Sequence, residues 1–251
     1  MPRFYLPVDQ CHDATLFLVG REAHHALRVL RLRRGDRVTV LNGVGGELLC
    51  EVEQFDRDKV KLSVVEKRAI PPLPYEITLL QALPKGKIIE SIIQKATELG
   101  AFRVVPLLSE RVAAAPSGKK PAVDKTEKWR LVAVEAIKQC GSGWLPQIEP
   151  PVTPEQFLAR NETFDLPLIA SLQGGSRHPR EYFAAYRAER GKTPQSVCVW
   201  IGPEGDFSTK EVAMITAAGA LPMTLGRLVL RTETAATYCL SIFNYELQAP
   251  R

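Results

Sequence analysis

The chain lacks any Cys-x-x-Cys pair, and its five cysteines, Cys11, Cys50, Cys140, Cys198 and Cys239, are scattered and odd in number. That pattern argues against a disulfide framework and for a reducing compartment. The four histidines, His12, His24, His25 and His178, do not combine with those cysteines at zinc-finger spacing, so no structural metal is expected. The N-terminus, Met1 to Pro7, has no apolar core of a signal peptide, and no apolar run approaches the roughly 20 residues that span a bilayer. These absences predict a cytoplasmic protein with no membrane partner. Neither the phosphate-binding Gly-x-x-x-x-Gly-Lys-Ser/Thr nor the spaced Gly-x-Gly-x-x-Gly of dinucleotide binders occurs. Internal repeats and low-complexity tracts are absent as well.

What is present is ordinary in bulk and uneven in distribution. The 251 residues are 45% hydrophobic and 24% charged, enough for one large domain or two unequal ones. The net charge of +5 is modest. Much basic charge is concentrated near the N-terminus, where Arg21, Arg28, Arg31, Arg33, Arg34 and Arg37 outnumber Glu22 and Asp36 and flank His24 and His25. Guanidinium forks bind phosphate oxygens bidentately, so this cluster favours nucleic acid over a merely solvated face. Few aromatics lie nearby to stack on bases.

Residues 1 to about 70 read as mostly β. Arg37–Leu41 leads into Asn42-Gly43, a tight-turn signal extended by Gly45-Gly46, and strand-like runs follow at Glu47–Glu53 and Val60–Val65. Pro71, Pro72 and Pro74 mark a linker. Beyond it strands and helices alternate. Glu76–Ala82 reads as a buried strand, and Ile88, Ile89, Ile92, Ile93, Ala96 and Leu99 recur at helical spacing before Gly100. Val104–Leu108 is the next strand, 112–123 reads as a loop, and Asp124 is placed to cap a helix closed by Gly141. Leu166–Ser171 and Val197–Ile201 are short apolar strands. Ser208 and Glu211 form a capping box, and Thr232–Glu246 is a final long helix. Met214 and Met223 fit core positions, and His178 an exposed helix start. The chain is therefore α/β, with a small β-rich domain ahead of a larger one.

Two turns carry the chemistry. Gly202-Pro203-Glu204-Gly205 and Leu225-Gly226 through Leu230-Arg231-Thr232-Glu233-Thr234-Ala235 each follow an apolar strand-like run and precede a helix. α/β proteins bind ligands there, because strand ends and helix N-termini offer unpaired backbone N–H groups. Thr232 or Thr234 can cap the last helix, with Glu233 at its positive end. Arg231 stays protonated; it can stabilise negative charge or hold a phosphate, but cannot accept a proton.

In this order, these motifs resemble the bacterial 16S ribosomal RNA uridine-N3 methyltransferases of the SPOUT superfamily. The resemblance spans nearly the whole chain. It is carried also by Arg3-Phe4, His24-His25-Ala26-Leu27-Arg28-Val29-Leu30-Arg31, Gly35-Asp36, Lys95 to Gly100 and Ser109-Glu110-Arg111. It implies a PUA-like RNA-binding β-barrel over residues 1–70 and a SPOUT methyltransferase domain over 75–251 whose chain end is tied in a trefoil knot. It implies S-adenosyl-L-methionine as cofactor, held by Ile201, Gly202, Pro203, Glu204 and Gly205, by Leu225, Gly226, Leu230, Thr232, Thr234 and Ala235, and by Ser171-Leu172 as a third wall. It implies a homodimer with the pocket near the subunit interface, and 16S ribosomal RNA of the small subunit as partner, met by Arg3, His25, Arg28 and Arg31. In this reading Arg231 stabilises charge on the uridine, Glu233 orients it, and Glu233 or Glu204 accepts the N3 proton; no metal is required. Three positions depart from the family pattern: Asp206 stands for a glycine, Leu228 for an arginine beside Arg227, and Gln139-Cys140-Gly141-Ser142 for Gln-Ser-x-Arg. A ribose 2′-O-methyltransferase and a non-catalytic RNA-binding assembly protein are the alternatives.

Overall fold

The computed structural model describes residues 1–111, 122–171 and 175–248. They form two compact units. The first comprises Met1–Pro72 and Val134–Leu145, the second Leu73–Ala133 and Pro146–Arg251.

The first unit is built on a five-stranded sheet of β1 (Arg3–Tyr5), β2 (Thr15–Val19), β3 (Arg37–Leu41), β4 (Gly46–Asp56) and β5 (Lys59–Ala69), in the order β1-β3-β4-β5-β2. The long β4–β5 hairpin shifts register at Leu49/Cys50 and at Val52/Gln54. Such bulges bend a sheet and let it curl over one apolar face. That face buries Phe4, Leu16, Leu18, Val38, Val40, Leu48, Val52 and Leu62. The Asn42-Gly43 turn forms as expected. Gly43 and Gly45 take φ of +76° and +88°, and Asn42 Oδ1 accepts the N–H groups of Val44 and Gly46.

A helical stretch interrupts the strands of this mostly β region. Gly20–His24 is a helical turn, α1, continued by a π-helical turn over His25–Val29. Charged and apolar residues mix there without strand alternation, and only Ala23 and Ala26 bury their side chains.

The second unit carries a six-stranded, all-parallel sheet of β6 (Glu76–Ala82), β7 (Arg103–Leu107), β8 (Gln147–Ile148), β9 (Leu166–Ala170), β10 (Ser196–Ile201) and β11 (Leu221–Met223), ordered β11-β9-β10-β6-β7-β8. Helices cover both faces, which is why β6 and β10 read as unbroken apolar runs. Alternate residues serve opposite faces. Leu80, Ala82, Cys198 and Trp200 pack with residues of α4 (Pro154–Leu158) and α6 (Thr209–Ala217). On the other side α7 (Thr232–Leu247) packs on β6, β10, α2 (Ile88–Glu98) and α5 (Pro179–Arg190), with Phe183 and Phe243 in ring contact at 5.5 Å. No described helix is long and apolar enough to cross a membrane.

Most helix boundaries follow the sequence signals. Gly100 and Gly141 end α2 and α3 (Ala122–Cys140) at φ of +77° and +82°. Ser208 and Glu211 make the reciprocal capping box of α6, and His178, half-buried, caps α5 in the same manner. Asp124 does not cap α3, because the helix already begins at Ala122. The loop read over 112–123 falls in large part on 112–121, outside the described residues.

Candidate active site

All six strands of the second sheet run the same way, so their C-terminal ends share one edge. At that edge β9, β10 and β11 release three segments: Ala170-Ser171, Ile201–Asp206 and Thr224–Thr232. Together they enclose a cavity of about 460 Å³. The two motifs singled out in the sequence therefore meet in one place, where strand ends leave backbone groups unpaired.

The Gly202 turn is tightly fixed. A Cβ on Gly202 would lie 2.7 Å from Asp206 Oδ1 and 3.0 Å from the Phe207 nitrogen, so only glycine fits without displacement. Asp206 takes φ of +59°, the left-handed region in which glycine is free of strain and Asp or Asn is the least costly alternative. Its Oδ1 accepts the Phe207 N–H at 2.8 Å, a local bond that supports this conformation. Phe207 is buried edge-on against Trp200, which is itself edge-on to Phe157, so the turn is anchored in the core. Glu204 accepts the Lys85 N–H at 3.0 Å, and Arg111 Nη1 donates to the Gly205 carbonyl at 2.8 Å.

The third segment leads into α7. Thr224 Oγ1 accepts the Gly226 N–H at 3.2 Å, and Gly226 turns the chain at φ of +108°. The helix cap differs from the expectation. Arg231, not a threonine, is the N-cap residue, and it makes no side-chain capping bond. Thr232 and Ala235 of the first turn of α7 line the cavity, and this helix carries no side-chain cap, whereas α4, α5 and α6 all carry full capping boxes. Arg231 is exposed at the cavity wall, and its guanidinium makes no hydrogen bond or ion pair among the described residues.

The expected site residues divide as follows. Ile201, Gly202, Pro203, Glu204, Leu225, Gly226, Leu230, Arg231, Thr232 and Ala235 line the cavity. Gly205, Glu233 and Thr234 do not; Glu233 and Thr234 sit in the first turn of α7, half-buried and exposed respectively. Leu172 lies outside the described residues, while Ser171 before it lines the cavity. Ala170, Asp206, Thr224, Arg227, Leu228 and Val229 complete the wall. Gln81 was missed, being one apolar-strand residue among others until Thr232 is seen to reach it.

In the first unit Arg28 and Arg31 are exposed, and Arg31 adopts φ of +53° just after the π turn. His25 is half-buried with its ring edge-on to Phe4 at 5.8 Å. Arg3 is not free: its guanidinium donates to the carbonyls of Lys138 and Gln139, closing the C-terminus of α3. Arg21, Glu22, His24, His25, Glu135 and Lys138 line a second cavity of about 440 Å³. Its charges largely satisfy one another, with Lys138 paired to Glu22 at 2.8 Å and to Glu135 at 3.2 Å.

The cavity at the sheet edge suits the nucleoside cofactor implied by the sequence. Its volume lies within the roughly 300–1,000 Å³ of small-molecule clefts. Ile201, Pro203, Leu225, Leu228, Val229 and Leu230 give it apolar walls, and strand ends and the uncapped turn of α7 give it backbone donors and acceptors. No cluster of three or more metal-ligating side chains occurs among the described residues.

The comparisons with known proteins agree. Residues 71–244 match the family model described as an RNA methyltransferase domain, and residues 18–65 match an RNA methyltransferase PUA domain. The chain is 32% identical over its full length to a protein of Bacillus subtilis named ribosomal RNA small subunit methyltransferase E, covering 99% of it. It is 34% identical to the protein of that name from Synechocystis, over 98% of this chain and 78% of the relative. A methyltransferase from Legionella pneumophila, solved with the cofactor SAM bound, superposes with a TM-score of 0.87 at 32% identity, over 97% of this chain and 96% of that one. A curled β unit followed by an all-parallel α/β unit, a glycine-turn cavity at the sheet edge and these full-length matches lead to one conclusion: the chain belongs to the ribosomal RNA small subunit methyltransferase E family.

Proposed function

We propose that this protein transfers a methyl group from S-adenosyl-L-methionine to N3 of a uridine in 16S ribosomal RNA of the small subunit, working as a homodimer in the cytoplasm. The observation that carries the reading is one cavity walled by both glycine turns, with Arg231, unpaired among the described residues, at its rim. The relatives are named for methylating small-subunit ribosomal RNA, and the uridine N3 position follows the motif resemblance.

When bound, the cofactor supplies a methyl group on a sulfonium, an activated leaving group. Gly202, Leu225, Leu230 and the first turn of α7 would hold it. The chain's own task is to prepare the acceptor. Uridine N3 carries a proton on the Watson–Crick edge, so the base must be unpaired or extruded from its stack. Loss of that proton leaves negative charge on the ring. The Arg231 guanidinium, without a partner among the described residues, is suited to stabilise it. Glu204 is the better-placed proton acceptor of the two carboxylates considered, since it lines the cavity and the Lys85 N–H steadies it, whereas Glu233 does not line the cavity.

Residues 1–70, with the exposed Arg28 and Arg31, are the RNA-binding domain of this reading, and residues 75–251 form the methyltransferase domain. Leu228 and Val229, each 77% exposed on the cavity loop, support a homodimer that covers them. The knot of the C-terminal chain belongs to the same proposal and follows the motif resemblance.

The test is Arg231→Ala. Turnover on unmodified small subunits should fall by roughly 100- to 1,000-fold, the scale seen on removing one charge-stabilising donor. Cofactor affinity measured by calorimetry should stay within a few-fold. Near-normal turnover would remove Arg231 from the mechanism. Nucleoside mass spectrometry locating the methyl on a ribose 2′-oxygen would replace the uridine N3 assignment.

A further inference from the structure

The N-terminus of α7 is joined to the Gly202 turn by a buried chain of hydrogen bonds. The Gln81 side chain, at the end of β6, is fully buried. Its amide nitrogen donates to the Ala82 carbonyl at 2.9 Å and to Thr232 Oγ1 at 2.9 Å. Thr232 Oγ1 in turn donates to the Gly202 carbonyl at 2.7 Å.

The direction of this chain is forced. The Ala82 carbonyl can only accept, so it fixes the Gln81 amide with its nitrogen inward. Both protons of that nitrogen are then in use, one of them on Thr232. The threonine hydroxyl, already accepting, has one proton left, and the Gly202 carbonyl is the acceptor in reach. Thr232 lines the cavity, yet its hydroxyl is committed to the protein on both sides.

Three sequence-distant parts of the site meet here: the end of β6, the turn after β10 and the first residue of α7. Arg231 immediately precedes Thr232 and has no side-chain anchor of its own. Its position is therefore set by the backbone of the residue that the relay holds.

We infer that Gln81 is a positioning residue: through Thr232 it locks the first turn of α7 to the Gly202 turn and thereby fixes Arg231 and the Gly202 turn relative to one another. The inference rests on the methyltransferase reading for its functional consequence, but the relay itself is a property of the folded chain. A buried residue outside the wall of this cavity thus governs both cofactor affinity and turnover. Simple core packing would require only an apolar side chain of similar size at this position.

The experiment compares Gln81→Met, Thr232→Val and Thr232→Ser in the full-length protein. Hydrogen exchange without cofactor reads the relay. Peptides spanning 229–234 and 201–205 should exchange faster in Gln81→Met and Thr232→Val, while Thr232→Ser, which keeps the hydroxyl, should match the wild type. Titration with S-adenosyl-L-methionine reads the consequence. Each disrupting variant should bind roughly five- to tenfold more weakly, the scale of one lost hydrogen bond. The double variant Gln81→Met/Thr232→Val should bind about as weakly as either single one, since both break one chain. At saturating cofactor and RNA, kcat should also fall, because Arg231 is displaced.

Unchanged exchange in folded Gln81→Met and Thr232→Val would overturn the relay, as would fully multiplicative losses in the double variant. If Thr232→Val does not fold, Gln81→Met reads the same chain from its other end, against Thr232→Ser. A wild-type protein that bound no cofactor would overturn the methyltransferase reading instead, leaving the exchange result to judge the relay.

Discussion

Gly202→Ala tests how tightly the glycine turn is built. The added methyl would sit 2.7 Å from Asp206 Oδ1, 3.0 Å from the Phe207 nitrogen and 3.1 Å from the Asp206 Cα. The first contact can be relieved by turning the Asp206 carboxylate away, which gives up its 2.8 Å bond from the Phe207 N–H. A bond of that kind contributes about 0.5–1.5 kcal/mol. The other two contacts are with backbone, and Phe207 is buried edge-on against Trp200, so the turn itself must shift by a few tenths of an ångström. Overpacking of this sort costs about 1–3 kcal/mol in all. The neighbouring residue supplies the control. In an Asp206→Gly background the carboxylate contact and its bond are already gone, so only the backbone contacts remain and Gly202→Ala should cost about 0.5–1.5 kcal/mol less. Asp206→Gly alone should be close to neutral: it loses that bond and gains unfolded-state entropy, but relieves a left-handed conformation at φ of +59°. Urea denaturation of the wild type, both single variants and the double variant gives the cycle directly. Equal costs for Gly202→Ala in the two backgrounds, or a cost below about 0.5 kcal/mol in the wild type, would refute this account of the turn.

Three further outcomes are expected. Replacing Arg28 and Arg31 together with Ala should weaken RNA binding and reduce the slope of log affinity against log salt by roughly 1.4, the counterion release of two single-strand phosphate contacts; an unchanged slope would exclude this face. Of the five cysteines only Cys140 is exposed. Burial pushes the Cys50 and Cys198 thiols up to about 12 and raises those of Cys11 and Cys239, so a thiol reagent at pH 8 should titrate one group in the native protein and five in urea. Glu162 is held below the ordinary carboxylate value of 4.5 chiefly by its hydrogen bond from Arg103, against the opposing effect of burial. Its contribution is therefore complete above that value and lost as pH falls through the lower folded one. Glu162→Gln should cost about 1–2 kcal/mol at neutral pH, since Glu149 still partners Arg103, and less near pH 3, by urea denaturation at both.

Much of this was legible in the residues. Periodicity gave α2, and the apolar runs of β6, β9 and β10 read as strands because a strand covered on both faces carries apolar residues on both. The Ser208 and Glu211 pair located the start of α6 because a capping box is a bond between residues three apart. Where a signal depended on distant neighbours, local reading failed. The bonds from the Arg3 guanidinium to two carbonyls at the end of α3, more than 130 positions away, have no local signature. Thr232 looked like a helix cap, but a glycine carbonyl 30 residues away takes its proton.

The chain order of types and spacings was sufficient, without coordinates, for the class of fold, the two glycine turns, the exposed basic cluster and the family they resemble. These are properties of segments a few residues long, governed by side-chain volume, charge and backbone freedom. Only the tertiary structure decided that both turns share one cavity, that Glu204 rather than Glu233 faces it, and that Gln81 reaches Thr232 across 151 positions. Those outcomes depend on strand order, and strand order is set by the summed burial of the whole sheet rather than by any stretch of sequence within it.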